Sequence, residues 1–342
     1  MAASLSTPLR DLLTVRDLLR WGISRFNEAK LVYGHGTTTA LDEAAFLILE
    51  SLHLPIDQLE PFLDARLLEA ERKRIIDLIE ARISTRKPAS YLLNKAYVGS
   101  VPFYVDERVI VPRSFIGELL RTDLFAGGPG SLVKDPFTLR NVLDLCTGSG
   151  CLAVLAAKHF PAAEIDAVDL SEAALEVAKI NVEASGEGER ISLFHGDLFT
   201  PLKGRRYDLI ITNPPYVGEE VMGELPPEFA AEPAMALAGG GDGLDLVRSL
   251  ILAAPDHLEV GGGLICEIGE DREILESDFP DLPFLWLDTE ESAGEVFWLS
   301  AEALGVMPPQ RAAGKTPAPH SRSKARDAAS AATSKARRPA PR

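Results

Sequence analysis

The sequence predicts an α/β protein: a seven-stranded, doubly wound sheet with its last strand antiparallel, preceded by a small helical domain. Three observations carry this. From Asn141 onward, short apolar runs alternate with helical patterns, the signature of a parallel sheet covered on both faces. The last two runs, 284–288 and 295–299, are joined only by Thr289–Gly294, too short for a crossover helix, so they should pair antiparallel. Before residue 96, by contrast, apolar residues recur at helical spacing.

Composition sets the frame. A chain of 342 residues with 46% apolar and 25% charged residues is an ordinary globular protein, long enough for two domains. Cys146, Cys151 and Cys266 form neither a disulfide framework nor a C-x-x-C pair, which makes a reducing cytoplasm the default. The six histidines show no ligand spacing, so no metal is expected. Arg10, Asp11, Arg16, Asp17 and Arg20 interrupt any signal-peptide core, and no run reaches membrane-spanning length. The net charge of −16 is unevenly spread: residues 308–342 carry nine Lys/Arg against one Asp, or +8, leaving −24 for the rest. An acidic body repels bare nucleic acid and attracts basic proteins.

In chain order, residues 7–29 place Leu9, Leu12, Leu13, Leu18, Leu19, Ile23 and Phe26 on one helical stripe. A second helix is predicted from near Thr39, where Thr39 and Asp42 form a cap, to Leu52. A third should span about Leu63 to Ile83 and stop before Pro88. Arg72, Lys73, Arg74, Arg82, Arg86 and Lys87 are expected on a solvated face. Residues 96–112 alternate through Tyr97, Val101, Phe103, Val105, Val109 and Val111, predicting a hairpin with turns at Gly99-Ser100 and Asp106-Glu107. The domains expected are therefore residues 1–95 (helical, substrate-recognising), 96–112 (hairpin linker), 113–305 (catalytic) and 306–342 (a disordered basic tail).

Strands are predicted at 141–145, 164–168, 191–194, 207–212, 263–268 and at the two terminal runs. The fourth strand stops at Asn213 because Pro214 and Pro215 lack the N–H a central strand needs. Open α/β sheets bind ligands at such strand ends. The prolines leave carbonyl acceptors without competing donors, and Tyr216 adds a flat face with a polar tip. That suits a planar group bearing an NH₂, either a side-chain amide or a base amine.

Upstream, the first strand runs through Asp144 into Cys146-Thr147-Gly148-Ser149-Gly150 and a helix, with Ala153 where a pyrophosphate-binding fingerprint has its third glycine. An acid before such a turn repels a pyrophosphate; it holds an amino group or organises the turn. Asp169 ends the second strand, suited to a ribose diol, and Asp197-Leu198-Phe199 follows the third, suited to an adenine. Three strand-end acids without phosphate-binding features describe a phosphate-free nucleoside, S-adenosylmethionine. The expected cofactor-binding residues are Asp144, Cys146, Thr147, Gly148, Ser149, Gly150, Asp169, Asp197, Leu198 and Asn213.

Together these motifs resemble a class I methyltransferase of the glutamine-methylating HemK/PrmC/PrmB family, over roughly residues 10–303. Tyr91–Ala96 and Phe103–Ser114 are similar to the PrmB branch, which methylates large-subunit ribosomal protein L-three; the release-factor branch has Pro-Arg-Pro-Asp-Thr-Glu where this chain has Pro112–Gly117. Cys146 replaces the first glycine of the commoner turn. The resemblance implies catalysis by Asn213, Pro214, Pro215 and Tyr216, and substrate binding by Arg113, Glu118, Asn213, Pro214 and Tyr216. Glu232-Pro233, Gly239–Gly243 and Glu267-Ile268-Gly269 also fit its pattern, although by composition they are loops and a strand end. The partner implied is ribosomal protein L-three, free or in an assembling large subunit, with the basic tail a candidate for ribosomal RNA contact.

Three alternatives stay open at this level: methylation of a release factor, an inactive ribosome-assembly factor, and an adenine-N(6) nucleic-acid methyltransferase, whose family shares Asn-Pro-Pro-Tyr. The acidic body and the lack of a basic duplex-binding domain weigh against the last.

Overall fold

The computed structural model describes residues 6–289 and 292–307, and these belong to one compact unit. The basic tail expected at 306–342 lies, beyond Met307, outside the described residues; Val306 itself is buried against the sheet.

The first apolar stripe forms two helices, α1 (Ser6–Asp11) and α2 (Val15–Glu28), where one was expected. The break is local chemistry: Thr14 accepts from the Asp17 N–H while Asp17 accepts from the Leu13 and Thr14 N–H groups, a capping box that restarts the helix. α3 (Ala40–Ser51) begins at the expected Thr39 cap, which accepts from the Asp42 N–H at 3.1 Å. α4 (Glu69–Thr85) starts later than the spacing predicted, because Leu63, Ala65 and Leu67 spend their backbone groups on Arg16, Val15 and Leu13. Arg82 corrects the expectation of a solvated basic face: it is fully buried and paired with Glu43. After α5 (Ala89–Leu93), a hairpin of β1 (Ala96–Val98) and β2 (Val101–Phe103) turns at Gly99-Ser100 as expected. It ends sooner than the alternation suggested. Beyond Phe103 the backbone bonds go to side chains: Asn181 brackets Tyr104, Asn94 donates to the Val105 carbonyl, and Tyr91 donates to that of Val109. Val105, Val109 and Val111 still bury themselves, against Ala174 and Val177.

α6 (Ile116–Leu119) leads to β3 (Asn141–Leu145), α7 (Cys151–His159), β4 (Glu164–Asp169), α8 (Glu172–Ser185), β5 (Ile191–His195), β6 (Tyr207–Thr212), α9 (Glu219–Met222), α10 (Asp245–Ala253), β7 (Leu258–Glu267), α11 (Arg272–Asp278), β8 (Leu285–Leu287) and β9 (Val296–Ser300). The seven strands of the main sheet lie in the order β5-β4-β3-β6-β7-β9-β8, with β9 antiparallel to both neighbours, as the short connection predicted. β7 starts five residues earlier than predicted. The register shifts between Tyr207 and Leu209, so residues 259–262 are absorbed as an irregularity opposite Asp208. Apolar side chains fill both faces of the sheet, and a third cluster holds the N-terminal helices together. No helix among the described residues is long and apolar enough to cross a membrane.

The sheet winds outward from β3 through β4 to β5 and then returns to place β6 on β3's other side. The carboxyl ends of β3 and β6 therefore form the topological switch point, where open α/β sheets take ligands.

Candidate active site

Two clefts meet at that switch point. Leu145 pairs with Thr212, whose hydroxyl donates to the Leu145 carbonyl at 3.0 Å, so Cys146 and Asn213 emerge side by side. One cleft, of about 780 Å³, is lined by Cys146, Gly148, Asp169, Asp197, Leu198, Asn213 and Pro215 among others. Its neighbour, of about 580 Å³, is lined by Arg113, Asn213, Pro214, Pro215, Tyr216 and Phe229. Ile110, Asn213, Pro215 and Ala236 belong to both.

The glycine turn is held from below. Asp144 is fully buried, accepting from the Thr147 hydroxyl at 2.5 Å and the Ala153 N–H at 2.9 Å; it lines neither cleft. Both bonds fall on one oxygen and organise the turn, and the other oxygen has no partner among the described residues. Thr147, Ser149 and Gly150 likewise stand behind the lining. Gly150 has φ +77°, and a Cβ there would come within 3.1 Å of Ala178, so the turn and α8 close up only on glycine. Cys146 takes φ +58° in the same turn, which explains why a glycine is commoner at its position.

Asp169 stands at the cleft wall with each oxygen already accepting one backbone N–H, from Gly148 and from Ser171, both at 2.8 Å. A carboxylate has about four acceptor sites, so lone pairs remain for a diol. Leu198 adopts φ +44°, strain of the kind concentrated at binding sites. Phe199, by contrast, is turned into the core and stacks on His257 at 4.4 Å, away from the cleft. Arg108, which the sequence did not flag, lines the cleft but is committed to Asp106 and Glu176. The lining therefore suits an uncharged sugar and base.

The second cleft is built by long-range contacts. Arg113 makes a two-point ion pair with Glu232, at 2.6 and 2.8 Å, and lies over the Phe229 ring. Burial alone would raise the Glu232 pKa, but His35 and Arg113 beside it hold the carboxyl down at about 2. His35, 3.6 Å from Glu232 and packed at a tilt against the Phe229 ring at 4.3 Å, carries one signal in the sequence, its setting between Gly34 and Gly36. Tyr216 is fixed through its backbone. Val217 bonds Leu237 and Gly239, and a Cβ on Gly239 would fall 2.7 Å from the Tyr216 Cα. Glu118 is set apart from both clefts; with Arg121 and Asp42 it lines a third, reached past Arg113.

Two buried carboxyls make stability fall as pH rises. Burial pushes both Asp144 and Glu267 up to about 7, against ordinary values of 3.8 and 4.5. The unfolded chain ionises first, so their contribution is full below about pH 4 and drains away as pH climbs through 7. Glu232, held low, has already given its full contribution above 4.5. The melting temperature should therefore fall from pH 5 to pH 8, and Glu267→Gln should flatten that slope. Parallel slopes for the variant and the parent chain would contradict the assignment.

A seven-stranded sheet of this order, with strand-end acids around a glycine turn and an Asn-Pro-Pro-Tyr corner, defines a class I methyltransferase, and residues 131–260 match the family model described as methyltransferase small domain. Three curated relatives carry the name ribosomal protein uL3 glutamine methyltransferase. That of Bradyrhizobium diazoefficiens is 59% identical, over 86% of this chain and 92% of its own length. Those of Bordetella pertussis and Neisseria gonorrhoeae are 50% and 52% identical, over 87% and 86% of this chain and 98% and 97% of theirs. The chain belongs to the ribosomal protein uL3 glutamine methyltransferase family.

Proposed function

We infer that this chain transfers a methyl group from S-adenosylmethionine to the side-chain amide nitrogen of a glutamine in ribosomal protein uL3. The observation that carries the reading is the junction of the two clefts at Asn213 and Pro215, which sets a cleft lined by the strand-end acids Asp169 and Asp197 beside one lined by Pro214 and Tyr216. When bound, the sulfonium supplies an electrophilic methyl. The chain's own residues do the rest. Asp169 takes the ribose hydroxyls, and Asp197 and Leu198 flank the base; Cys146 and Gly148 line the floor of the turn that Asp144, Thr147, Ser149 and Gly150 shape.

An amide nitrogen is a poor nucleophile because its lone pair is shared with the carbonyl. With the Asn213 side-chain oxygen and the Pro214 carbonyl accepting its two N–H groups, the nitrogen is held with one face toward the methyl. Those oxygens meet positive charge as it develops on nitrogen, the differential stabilisation that catalysis requires; the carbon–sulfur bond breaks to leave a neutral thioether, and one N–H proton passes along its hydrogen bond to solvent as the N-methylamide forms. Pro215 stiffens the corner, and Tyr216 stacks on the amide and excludes water. Arg113 and Glu118 face the approaching substrate, and residues 1–95 act with the 96–112 linker as its recognition domain. The tail from 306 contacts ribosomal RNA through its basic side chains.

Labelled S-adenosylmethionine offered with uL3, a release factor and DNA tests the reading: label should enter uL3 as N-methylglutamine. Label in DNA or in the release factor alone would refute it. In the same assay format, Asp169→Ala should weaken S-adenosylhomocysteine binding by about 10-fold or more, the worth of a charged hydrogen bond, whereas unchanged affinity would remove Asp169 from the cofactor site.

A further inference from the structure

We propose that Glu267 is a positioning residue for this reaction: one carboxylate at the end of β7 ties Tyr216, which lines the amide cleft, to the Ser114-Phe115 turn directly behind Arg113, which lines it too, fixing the spacing between them. The proposal rests on the functional reading above and deepens it.

Glu267 is 1% exposed and makes use of both oxygens. One accepts from the Ser114 hydroxyl at 2.6 Å and from the Phe115 N–H at 2.8 Å. The other lies 3.5 Å from the Tyr216 hydroxyl, at the limit of a hydrogen bond and aimed at the one polar atom of that ring. A helix cap alone would explain the first oxygen but not the second. The helix it would cap, α6, is also a single turn.

The rest of the surroundings leaves Tyr216 little other restraint at its tip. Its ring lies over Gly269, where a Cβ would sit 3.3 Å from Cδ2, so the strand end passes close beneath the plane without gripping it. Ser114 follows Arg113 directly, and Arg113 is locked by Glu232 from the opposite direction. The segment that walls the amide cleft is thus gripped by two buried carboxylates from distant parts of the chain. Only Glu267 also reaches Asn-Pro-Pro-Tyr. Because the carboxylate touches neither cofactor cleft nor substrate cleft, its effect on the reaction is exerted through Tyr216.

A double-mutant cycle on uL3 methylation tests this. Glu267→Gln and Tyr216→Phe should each lower kcat by about 10-fold with KM for uL3 and S-adenosylhomocysteine affinity changed little, and the double variant should be no worse than either single, since coupled residues are not additive. Additive losses of about 100-fold, or a Glu267→Gln enzyme within twofold of the parent, would overturn the proposal. If Glu267→Gln lowers the folded yield, Ser114→Ala and Tyr216→Phe ask the same question from the two ends of the carboxylate. Their common hydrogen-bond partner among the described residues is Glu267, so coupling of about threefold or more is expected and strict additivity contradicts it. A parent chain that leaves uL3 unmodified would sink the functional reading itself, whereas a parent that methylates uL3 with an additive cycle would sink this inference alone.

Discussion

Asn213→Ala is expected to lower methyl transfer to uL3 by about 10²-fold or more, the scale on which losing one preorganised transition-state hydrogen bond costs an enzyme, while S-adenosylhomocysteine affinity stays within about threefold. Asn213 closes β6 where two prolines stop the strand, and it lies in the lining of both clefts. Its neighbours leave no substitute acceptor: the Pro214 carbonyl takes the other N–H of the same amide, Thr212 is fully buried with its hydroxyl committed to Leu145, and Cys146 across the ladder is held uncharged by burial. Removing the amide therefore removes an acceptor from the site of charge development and leaves the nucleoside end, at Asp169 and Asp197, intact. Steady-state turnover and a separate binding titration check this. Equal losses in turnover and in cofactor binding would mean that Asn213 holds the cofactor rather than the amide.

The second large effect is on stability. Arg82→Met should destabilise the fold by about 3–5 kcal/mol, the cost of leaving a buried ion-pair partner uncompensated. The Arg82 guanidinium is wholly enclosed. It donates to Glu43, to the Arg86 carbonyl at 3.0 Å and to the Val32 carbonyl at 3.1 Å, so one side chain ties α4 to α3 and to the loop ahead of His35. Without it, the Glu43 carboxylate keeps, among the described residues, only the Thr37 hydroxyl as a hydrogen-bond partner, at 2.9 Å. Thermal unfolding should show a drop on the order of 10 °C for this size of change in a chain this long. Adding Glu43→Leu should recover part of the loss, since an apolar pair of similar volume avoids burying a lone charge. A melting temperature within two degrees or so of the parent's would contradict the buried pairing.

The contrast between these two residues marks what could be read from the sequence. Asn213 was legible because its signal is local: a β-branched run, an abrupt Pro-Pro stop and an aromatic residue occupy seven adjacent positions, Ile210 to Tyr216. The same holds for the seven strands, the Thr39 cap and the antiparallel final pair, all set by neighbours in sequence. Arg82 was misassigned to solvent because it sits among Lys73, Arg74, Arg86 and Lys87, and helix spacing alone does not reveal which charged residue turns inward. Its partner is 39 residues away. Distance also hid His35, which faces Glu232, and the brace from Glu228 to the Val32 backbone, 196 residues apart. Asp144 was found but only half understood. A carboxyl before a glycine turn reads equally well as ligand or scaffold, and its scaffold bonds, to Thr147 and Ala153 beneath the turn, are contacts that spacing alone does not reveal.

The central claim is that a sulfonium-borne methyl and a glutamine amide meet at Asn213. The most direct test is a crystal structure of the chain with S-adenosylhomocysteine. The account predicts the adenine beside Asp197 and Leu198, the ribose hydroxyls on Asp169 and the sulfur at the end of the cleft shared with Asn213 and Pro215, so that a methyl there lies about 3–3.5 Å from an amide nitrogen held by the corner. A sulfur found at the far end of that cleft, out of reach of Asn213, would contradict it.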